Sequence, residues 1–391
     1  MRLLFVKRRL AYPRSSGHDV HTWELMRSLT TLGHEVALAS LSPTDDTALD
    51  GLRVAEVRNL LEPANGRGGE VRLSPLQEKF RSYWGIETNA IAGVGRFAED
   101  FAADAVVLSG LDILPCLGGV TRGVRVWYAG DEWARHHLSL LHWRQPDSWK
   151  HVKPALIKGA YEWAYASAMD RVWVVSEDER RAVEVVCRGP AVDVVPNGVD
   201  TAHFVPVMAP ERPQSACFWG RLDFEPNIDA VVWFCREIWP RLRAAEPSAT
   251  FTVFGFQPSA LVQQVCKATP GVELVPNLPD LRAEIGVRSV VALPFISGGG
   301  IKNKLLEAAA LARPIVASAK ACEGLSANAP VIRAATVDEW VTAVTGLWRD
   351  EQERRSLGMR AREWVSRAHS WDSAAAKAAA GIEDSLLRRA S

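Results

Sequence analysis

The sequence predicts an α/β protein built from two Rossmann-like domains in tandem. Short apolar strands alternate with amphipathic helices along the chain, which is typical of parallel sheets covered by helices. This alternation is interrupted at residues 196–213, where four prolines stand in a stretch without an apolar period, and then it starts again. A length of 391 residues, of which 48% are hydrophobic and 24% charged, suits a soluble globular protein with about two cores.

The first domain is predicted to span residues 1–196. Its apolar runs indicate strands at 3–7, 35–41, 104–108, 124–128, 171–175 and 192–195. Helices are expected between them, most clearly at 18–32, around 76–102 and at 153–169. Such sheets bind ligands at the carboxyl ends of their strands, so the loops that follow these strands are candidate ligand sites.

The second domain is predicted to follow an interdomain linker at 197–213 and to span residues 214–370. Strands are expected at 215–219, 250–254, 272–275, 289–293 and 314–317. Beyond residue 337 the pattern is helical to the end, and we expect the terminal helix, 371–391, to cross back onto the first domain.

Composition excludes several classes of function. Lys plus Arg and Asp plus Glu both number 46, so net charge offers no electrostatic case for a nucleic-acid partner. The six cysteines include no C-x-x-C pair, and the nine histidines show no H-E-x-x-H spacing. We therefore expect reduced, buried thiols, no bound metal and no cofactor.

The chain also lacks the signals of export or membrane insertion. Charges at residues 7–9 cut the first apolar run too short for a secretory signal, and no apolar run has the length of about 18 residues that a membrane span needs. The expected location is the cytoplasm. Six of the 15 tryptophans fall within 127–173, among many basic residues. That segment fits peripheral contact with the inner face of a membrane, a helical packing surface or an acceptor groove, and the sequence leaves these three open.

The most informative segment, 293–318, runs from an apolar strand through Gly298, Gly299 and Gly300 into a helix. Glycines allow positive φ and close approach to a ligand, while the free N–H groups at a helix start attract an anion. Helical spacing places Lys304 and Glu307 on the face of the glycine turn, whereas Lys302 points to the other side. Lys304 is the predicted phosphate contact and Glu307 the predicted ribose contact. The alternative is a solvated Lys304–Glu307 pair at i,i+3.

Five segments carry a resemblance to a known family. They are YPRSSGHDVHTWELMRSLTTLGHEVAL, VWVVSEDER, VVPNGVDTAHFVP, WGRLDFEPNIDAVVWFCREIWPRL and the glycine turn with LLEAAALARPIVAS. In their order and spacing the chain resembles the retaining glycosyltransferases of family 4, the glycosyl transferases group 1. The resemblance implies a GT-B fold, with two Rossmann-like domains that face each other across a cleft. It also implies a UDP- or GDP-linked sugar donor held in the second domain and an acceptor bound mainly by the first.

The resemblance assigns donor residues in the second domain. Arg221, after Gly220, corresponds to the arginine that contacts the diphosphate, and its guanidinium suits phosphate oxygens. The family lysine that usually follows this arginine is missing, and we expect Lys304 to supply the second cation. Of the paired glutamates spaced E-x7-E, Glu307 matches the second and Gly299 occupies the first position.

The resemblance also assigns residues in the first domain and at the linker. Asp131 falls closest to a family histidine near the donor sugar; a helix N-cap is its alternative role. Ser16 and Gly17 correspond to the loop that closes over the phosphates, next to His18. Asn197 and Gly198 form the interdomain segment near the donor, and by themselves they predict a tight turn with left-handed backbone.

The predicted function is transfer of a sugar from a nucleoside diphosphate to an alcohol acceptor with retention of configuration. No D-x-D pair follows a strand, so no metal is expected. The resemblance implies that Asp131 and Arg221 are catalytic residues, and helix geometry adds Lys304 as the third. By resemblance the acceptor is a glycan, a lipid-linked sugar or a small alcohol in bacterial polysaccharide or glycolipid assembly. Two alternatives remain open, a nucleotide-sugar epimerase on the same scaffold and a non-catalytic protein that binds a sugar nucleotide or a glycan.

Overall fold

The computed structural model describes residues 1–10, 17–44, 46–60, 73–130, 149, 152–187, 189–298 and 300–390. The chain divides into two compact units. Unit 1 comprises Met1–Pro196 together with Trp371–Ser391, and unit 2 comprises Asn197–Ser370. The whole segment predicted as a linker, 197–213, therefore belongs to unit 2, whose first strand already begins at Arg212.

Unit 1 is built on a seven-stranded sheet in which every neighbouring pair is parallel. In sheet order the strands are β3-β2-β1-β4-β5-β6-β7. Their bounds are β1 Arg2–Lys7, β2 Glu35–Ser40, β3 Glu56–Asn59, β4 Ala105–Ser109, β5 Val124–Gly130, β6 Arg171–Val174 and β7 Ala191–Val194. Strands β1, β2 and β4 are buried almost throughout, because helices cover both faces of a parallel sheet.

The described helices of unit 1 connect these strands. They are α1 Gly17–Thr31, α2 Asp46–Leu49, α3 Pro75–Tyr83, α4 Thr88–Asp100, α5 Val152–Ala166 and α6 Glu177–Val186, with a 3-10 segment at Leu114–Gly119. The helical region predicted around 76–102 is thus two helices. The chain turns between them at Gly85, whose φ of +60° favours glycine.

Unit 2 repeats the architecture with six parallel strands in the order β10-β9-β8-β11-β12-β13. Their bounds are β8 Arg212–Arg221, β9 Thr250–Phe256, β10 Val272–Pro276, β11 Arg288–Leu293, β12 Ile315–Ala317 and β13 Ile332–Arg333. The sequence missed β3 and β13. Both are short edge strands, and β3 (EVRN) has a single apolar residue, so neither makes an apolar run.

One helix of unit 2 follows β8 in the chain, and another follows β11. The helices of this unit are α7 Glu225–Trp233, α8 Trp239–Ala245, α9 Ala260–Ala268, α10 Arg282–Gly286, α11 Asn303–Ala310, α12 Val337–Arg349 and α13 Glu351–Ala368, with a π-helical turn at Phe234–Ile238. Helix α11 buries Leu305, Leu306 and Ala308–Ala310. Burial of this apolar face determines which side chains of α11 are left to point towards the end of the sheet.

The last helix, α14 Trp371–Ala390, packs against α1 in unit 1. Its small residues form the buried face, and Arg171 on β6 binds Asp193 in a bidentate pair and also Asp384 on α14. Its alanine-rich sequence is therefore a close-packing surface and not only a strong helix former.

All six cysteines are buried and unbridged, as expected for reduced thiols. No helix among the described residues combines the length and the apolarity needed to cross a bilayer.

Candidate functional site

The site predicted in unit 2 lies where the order of the sheet reverses. Strand β8 has β9 on one side and β11 on the other, and their helical connections leave in opposite directions. Parallel sheets bind ligands at the carboxyl ends of strands at such a switch point. Here β8 ends with Gly220 and Arg221, and β11 leads to the glycine turn and α11.

Lys304, in the first turn of α11, lies at the centre of this switch point. Its Nζ is 5.7 Å from the ring centroid of Phe218 and 5.5 Å from that of Phe295. The side chain has no hydrogen-bond or ion-pair partner among the residues that the structure describes. Burial lowers the pKa of Lys304 to about 8, and the opposing influence of Glu307 is smaller. An ammonium desolvated in this way is stabilised by an anion placed beside it.

Gly220 makes room for the lysine. Its φ is +149°, and a Cβ built there would lie 2.6 Å from Cε and 2.8 Å from Nζ of Lys304. Any side chain at this position would meet both the lysine and, at 3.0 Å, Nδ2 of Asn227. The end of β8 is therefore shaped around Lys304.

Glu307, one turn further along α11, is held by a tryptophan. Nε1 of Trp219 donates a hydrogen bond of 2.8 Å to Oε2 of Glu307. Burial raises the pKa of Glu307, while the Trp219 hydrogen bond and Lys304 act in the opposite direction. Lys304 and Glu307 form no ion pair, so the alternative of a solvated i,i+3 pair is wrong. The carboxylate has a fixed orientation at the end of the sheet.

Lys302 departs from the helical geometry expected from the sequence. It is the extended N-cap residue of α11, because the helix begins only at Asn303. Its Nζ donates to the carbonyl oxygen of Gly298 at 3.2 Å and lies 5.4 Å from the Phe295 ring centroid. The prediction that Lys302 points away was wrong, since Lys302 and Lys304 both approach the same aromatic ring.

The glycine turn adopts the backbone that its sequence predicts. Gly298 and Gly300 have φ values of +85° and +70°, and a Cβ at Gly298 would lie 3.0 Å from the ring of Pro226. Gly299 lies outside the described residues. The side chain of the N-cap residue Lys302 does not cap α11, and Leu305 N donates to the Lys302 carbonyl oxygen at 2.9 Å. Among the described residues, the N–H groups of Asn303 and Lys304 are thus left for an acceptor.

Arg221 is engaged by a neighbour that the sequence analysis overlooked. Its Nε and Nη2 donate to the two carboxylate oxygens of Asp223 at 3.0 and 2.7 Å, and 48% of the Arg221 side chain is exposed. The Asp223 pKa is lowered, chiefly by this hydrogen bonding. An exposed pair of this kind is weak, so a phosphate can compete for the guanidinium.

Asn197 and Gly198 do not form the predicted left-handed turn. Neither residue has a positive φ, and the segment 195–198 contains no turn. The Asn197 side chain is instead buried and donates from Nδ2 to Oδ1 of Asn303 at 2.9 Å. On the other side, the Asn197 carbonyl oxygen lies 3.0 Å from Nδ1 of His369. The segment thus positions the start of α11, and it does so through a side chain.

Of the three site residues predicted in unit 1, the structure describes one, Gly17. Gly17 is the first residue of α1, whereas Ser16 and Asp131 lie outside the described residues. Within the described ranges, no three His, Cys, Asp or Glu side chains are grouped closely enough to hold a metal ion.

Comparison with known proteins supports the interpretation of unit 2. Residues 213–350, which extend from β8 past the end of α12, match the family model of the glycosyl transferases group 1. No curated protein sequence matches the chain.

Solved structures share the architecture over nearly the whole chain. Sucrose-phosphate synthase from Thermosynechococcus elongatus is similar with a TM-score of 0.69 at 15% identity, covering 100% of both chains. HepE of Anabaena in complex with UDP and glucose has a TM-score of 0.66 at 13% identity, covering 98% of this chain and 99% of that one. A variant of S. aureus TarM in complex with fondaparinux, alpha-GlcNAc-glycerol and UDP has a TM-score of 0.68 at 11% identity, covering 97% and 99%. The fold is GT-B.

Within this GT-B fold, the site contains four side chains that sequence reasoning missed or misplaced. They are Trp219, Asp223, Asn227 and Lys302. Asn227 is buried and donates from Nδ2 to the Arg221 carbonyl oxygen at 2.7 Å, which holds the end of β8. Asp223 was detectable, because an acidic residue two positions after an arginine can form a local pair. The other three act across elements, and no local pattern predicts them.

Proposed function

We propose that the protein is a retaining glycosyltransferase that uses a nucleoside diphosphate sugar and an alcohol acceptor. One observation carries the proposal: the ammonium of Lys304 is desolvated at the switch point of unit 2 and forms no ion pair with any described residue. A diphosphate placed there would supply the missing negative charge. The family match of residues 213–350 supports the same assignment.

The chemistry that these residues can perform is stabilisation of a leaving group. Breaking the bond between sugar and diphosphate leaves extra negative charge on the phosphate oxygens, and fixed cations and N–H donors lower the energy of that state. Lys304, Lys302 and the N-terminus of α11 provide such groups. Arg221 would exchange Asp223 for a phosphate, with which it can form two hydrogen bonds.

Glu307 would bind the hydroxyls of the ribose. A carboxylate accepts hydrogen bonds from both hydroxyls of a diol, and the Trp219 hydrogen bond keeps one of its oxygens in place. Because this carboxylate is positioned before the ligand arrives, less conformational entropy is lost on binding.

The proposed transfer proceeds with retention and needs no metal. The leaving phosphate itself would accept the proton of the acceptor hydroxyl, so a separate general base is not required. The cations of the chain would replace a metal ion at the diphosphate. Chelation with EDTA should then leave turnover unchanged, and abolition of turnover by EDTA would contradict this part of the proposal.

The identity of the nucleotide is proposed as UDP, with GDP as the second candidate. HepE and TarM were each solved with UDP bound, which favours uridine at a similar site. The proposed acceptor is a glycan, a lipid-linked sugar or a small alcohol in bacterial polysaccharide or glycolipid assembly.

The deciding experiment measures UDP and GDP binding by thermal shift and calorimetry. Nucleotide at about 100 times its Kd should stabilise the protein by about 2.7 kcal/mol. Lys304→Met should weaken binding by about ten- to a hundredfold, because a charge-assisted hydrogen bond is lost. Lys320→Met is the matched control, since Lys320 lies elsewhere in unit 2 and pairs with Glu323. Equal affinity of the wild type and Lys304→Met would refute the assignment.

Product analysis separates the transferase from its alternatives. Mass spectrometry with UDP- and GDP-sugars should show a free nucleoside diphosphate and a glycosylated acceptor. An epimerase would instead release an isomeric sugar nucleotide of unchanged mass, and a binding protein would leave the donor intact.

A further inference from the structure

Unit 1 has a switch point of its own, and polar side chains converge there. Its sheet reverses order between β1 and β4, which end with Lys7 and Ser109. Helix α1 starts at this edge, and Thr22 Oγ1 on α1 lies 2.8 Å from Ser109 Oγ. The same rule that points to β8 and β11 in unit 2 therefore indicates a ligand site here.

The geometry defines which nitrogen of His18 carries the proton. Lys7 Nζ lies 2.8 Å from Nδ1 of His18, and an ammonium can only donate. Nδ1 must therefore accept, which leaves the hydrogen on Nε2. Asp19 holds the ammonium in place, since its Oδ1 lies 3.0 Å from the same Nζ.

His18 is kept neutral by its surroundings. Its pKa is lowered well below 6.5, first by burial, then by the charge of Lys7 and by His21 on the same helix. The backbone of Tyr128 has a smaller effect in the opposite direction. The imidazole stacks on the Tyr128 ring with centroids 4.6 Å apart and an interplanar angle of 9°, which fixes the plane of the ring.

The Nε2–H group of His18 has no acceptor in the described part of the chain. Nε2 is shielded from solvent and makes no hydrogen bond, a state that costs about 1–3 kcal/mol for a buried polar group. The carbonyl oxygen of Tyr128 accepts from Gly110 N at 3.1 Å and has a second lone pair, but it makes no close hydrogen bond to Nε2. Gly110, with φ +114°, places no side chain next to the ring, and a Cβ there would lie 3.6 Å from Cε1 of His18.

The charges around this donor are compensated. Lys7 pairs with Asp19, and Arg8 pairs with Asp112 at 2.9 Å. A site with a neutral N–H donor, whose neighbouring cations Lys7 and Arg8 are both paired with carboxylates, suits an uncharged oxygen better than a phosphate. A carbohydrate hydroxyl is an acceptor of this kind.

We propose that His18 donates its Nε2–H to a hydroxyl oxygen of a carbohydrate bound at the β1–β4 switch point, with Lys7 as the residue that positions the imidazole. Calling this carbohydrate the acceptor substrate rests on the proposed function, whereas the donor group and its tautomer do not.

The tautomer is tested first, in the full-length protein labelled with 15N-histidine. The His18 signals, identified by their loss in His18→Phe, should show a protonated Nε2 and an unprotonated Nδ1 from pH 8 down to pH 6. Lys7→Met should mix the tautomers, because Nδ1 loses its donor. A protonated Nδ1 in the wild type, whether in the other tautomer or in the imidazolium, would overturn the proposal.

The ligand is tested next, in the absence of nucleotide. Methyl α-D-glucopyranoside, methyl α-D-mannopyranoside and glycerol are titrated separately, and inorganic phosphate serves as the charged probe. At least one carbohydrate should shift the Nε2–H resonance, and its Kd, measured by calorimetry for both proteins, should be about tenfold weaker in His18→Phe. His34→Phe, also in unit 1, should leave that Kd unchanged. Shifts caused by phosphate only, or by none of the probes, would overturn the proposal.

The two proposals can fail separately. A protein that binds no nucleotide but shifts His18 with a glycoside refutes the donor site in unit 2 and supports the carbohydrate site. Nucleotide binding that depends on Lys304, with no response of His18 to a glycoside, supports the donor site in unit 2 and refutes the carbohydrate site.

Discussion

Lys304 is the residue on which the proposed donor site depends, because its charge is sensitive to what binds beside it. Burial lowers its pKa to about 8. The side chain is therefore mostly the charged ammonium at neutral pH, and it loses this charge as pH rises past about 8. A bound diphosphate would favour the charged form and raise the pKa. Binding of the anion and retention of the proton are therefore linked.

This linkage predicts a pH dependence of nucleotide affinity. Affinity should be nearly constant between pH 7 and 7.5 and should then fall as pH rises past 8, approaching tenfold per pH unit until the pKa of the bound state is reached. Affinity falls as pH rises because the pKa of Lys304 is higher in the complex than in the free protein. Calorimetry with UDP from pH 7 to 9.5 measures the profile. Lys304→Met should show a flat one, and a flat profile for the wild type would contradict the role of Lys304.

At the scale of elements, the proposed donor site depends on the contact between the end of β8 and the first turn of α11. Strand pairing places Gly220 opposite Gly255 of β9, and the absence of a side chain lets Lys304 lie against the strand. The hydrogen bond between Asn197 and Asn303 joins the segment after β7 to the same helix start. The relative position of these elements, more than any one side chain, defines the site.

Gly220→Ala tests this contact. The new methyl group would overlap Cε and Nζ of Lys304 and would sit on a backbone with φ +149°, so the lysine must move. We expect at least tenfold weaker UDP binding and a free energy of unfolding lower by about 1–3 kcal/mol. Gly346→Ala on α12 is the matched control, because a Cβ there meets nothing within 4 Å. That control should stabilise by about 0.5–1 kcal/mol, and unchanged UDP binding in Gly220→Ala would show that the contact is dispensable.

At the scale of the whole molecule, the chain crosses between the units twice, after Pro196 and again after Ser370. The second crossing returns α14 to unit 1, where Ala374, Ala375, Ala378 and Ala379 form its buried face. Arg389, near its end, donates to the Gly123 carbonyl oxygen and to Asp170, both at 2.7 Å. The last twenty or so residues thus complete the core of a domain that the chain began at Met1 and left after Pro196.

Ala378→Asp should therefore destabilise unit 1. A carboxylate at this buried position has no partner, and we expect a loss of at least about 3 kcal/mol in the free energy of unfolding. Hydrogen exchange, measured separately in α1 and α12, should show faster exchange in α1. Ala376→Asp is the control, since Ala376 is exposed on the same helix. If both variants unfold alike, α14 does not contribute to the core of unit 1 as described.

The sequence by itself determined the α/β character and the positions of most strands. Apolar runs of four to eight residues between glycines and prolines need no tertiary information, because local backbone preferences and burial agree there. The positive φ angles of Gly298 and Gly300 were likewise predictable, as was the helix α11 that follows the glycine turn. The edge strands β3 and β13 escaped detection because they are too short to form a pattern.

Only the tertiary structure decided how the side chains of the sites meet. The Trp219–Glu307 hydrogen bond and the Lys7–His18 contact join residues from different elements, and no periodicity within one segment encodes such a contact. Lys302 reaches back to Gly298 because α11 begins only at Asn303, a boundary that the sequence pattern placed too early. Asn197 shows the same limit, since its local preference for a tight turn gave way to a buried hydrogen bond with Asn303. Local propensities are worth about 1 kcal/mol or less, whereas burial of polar groups with their partners is worth several, so packing prevails where the two disagree.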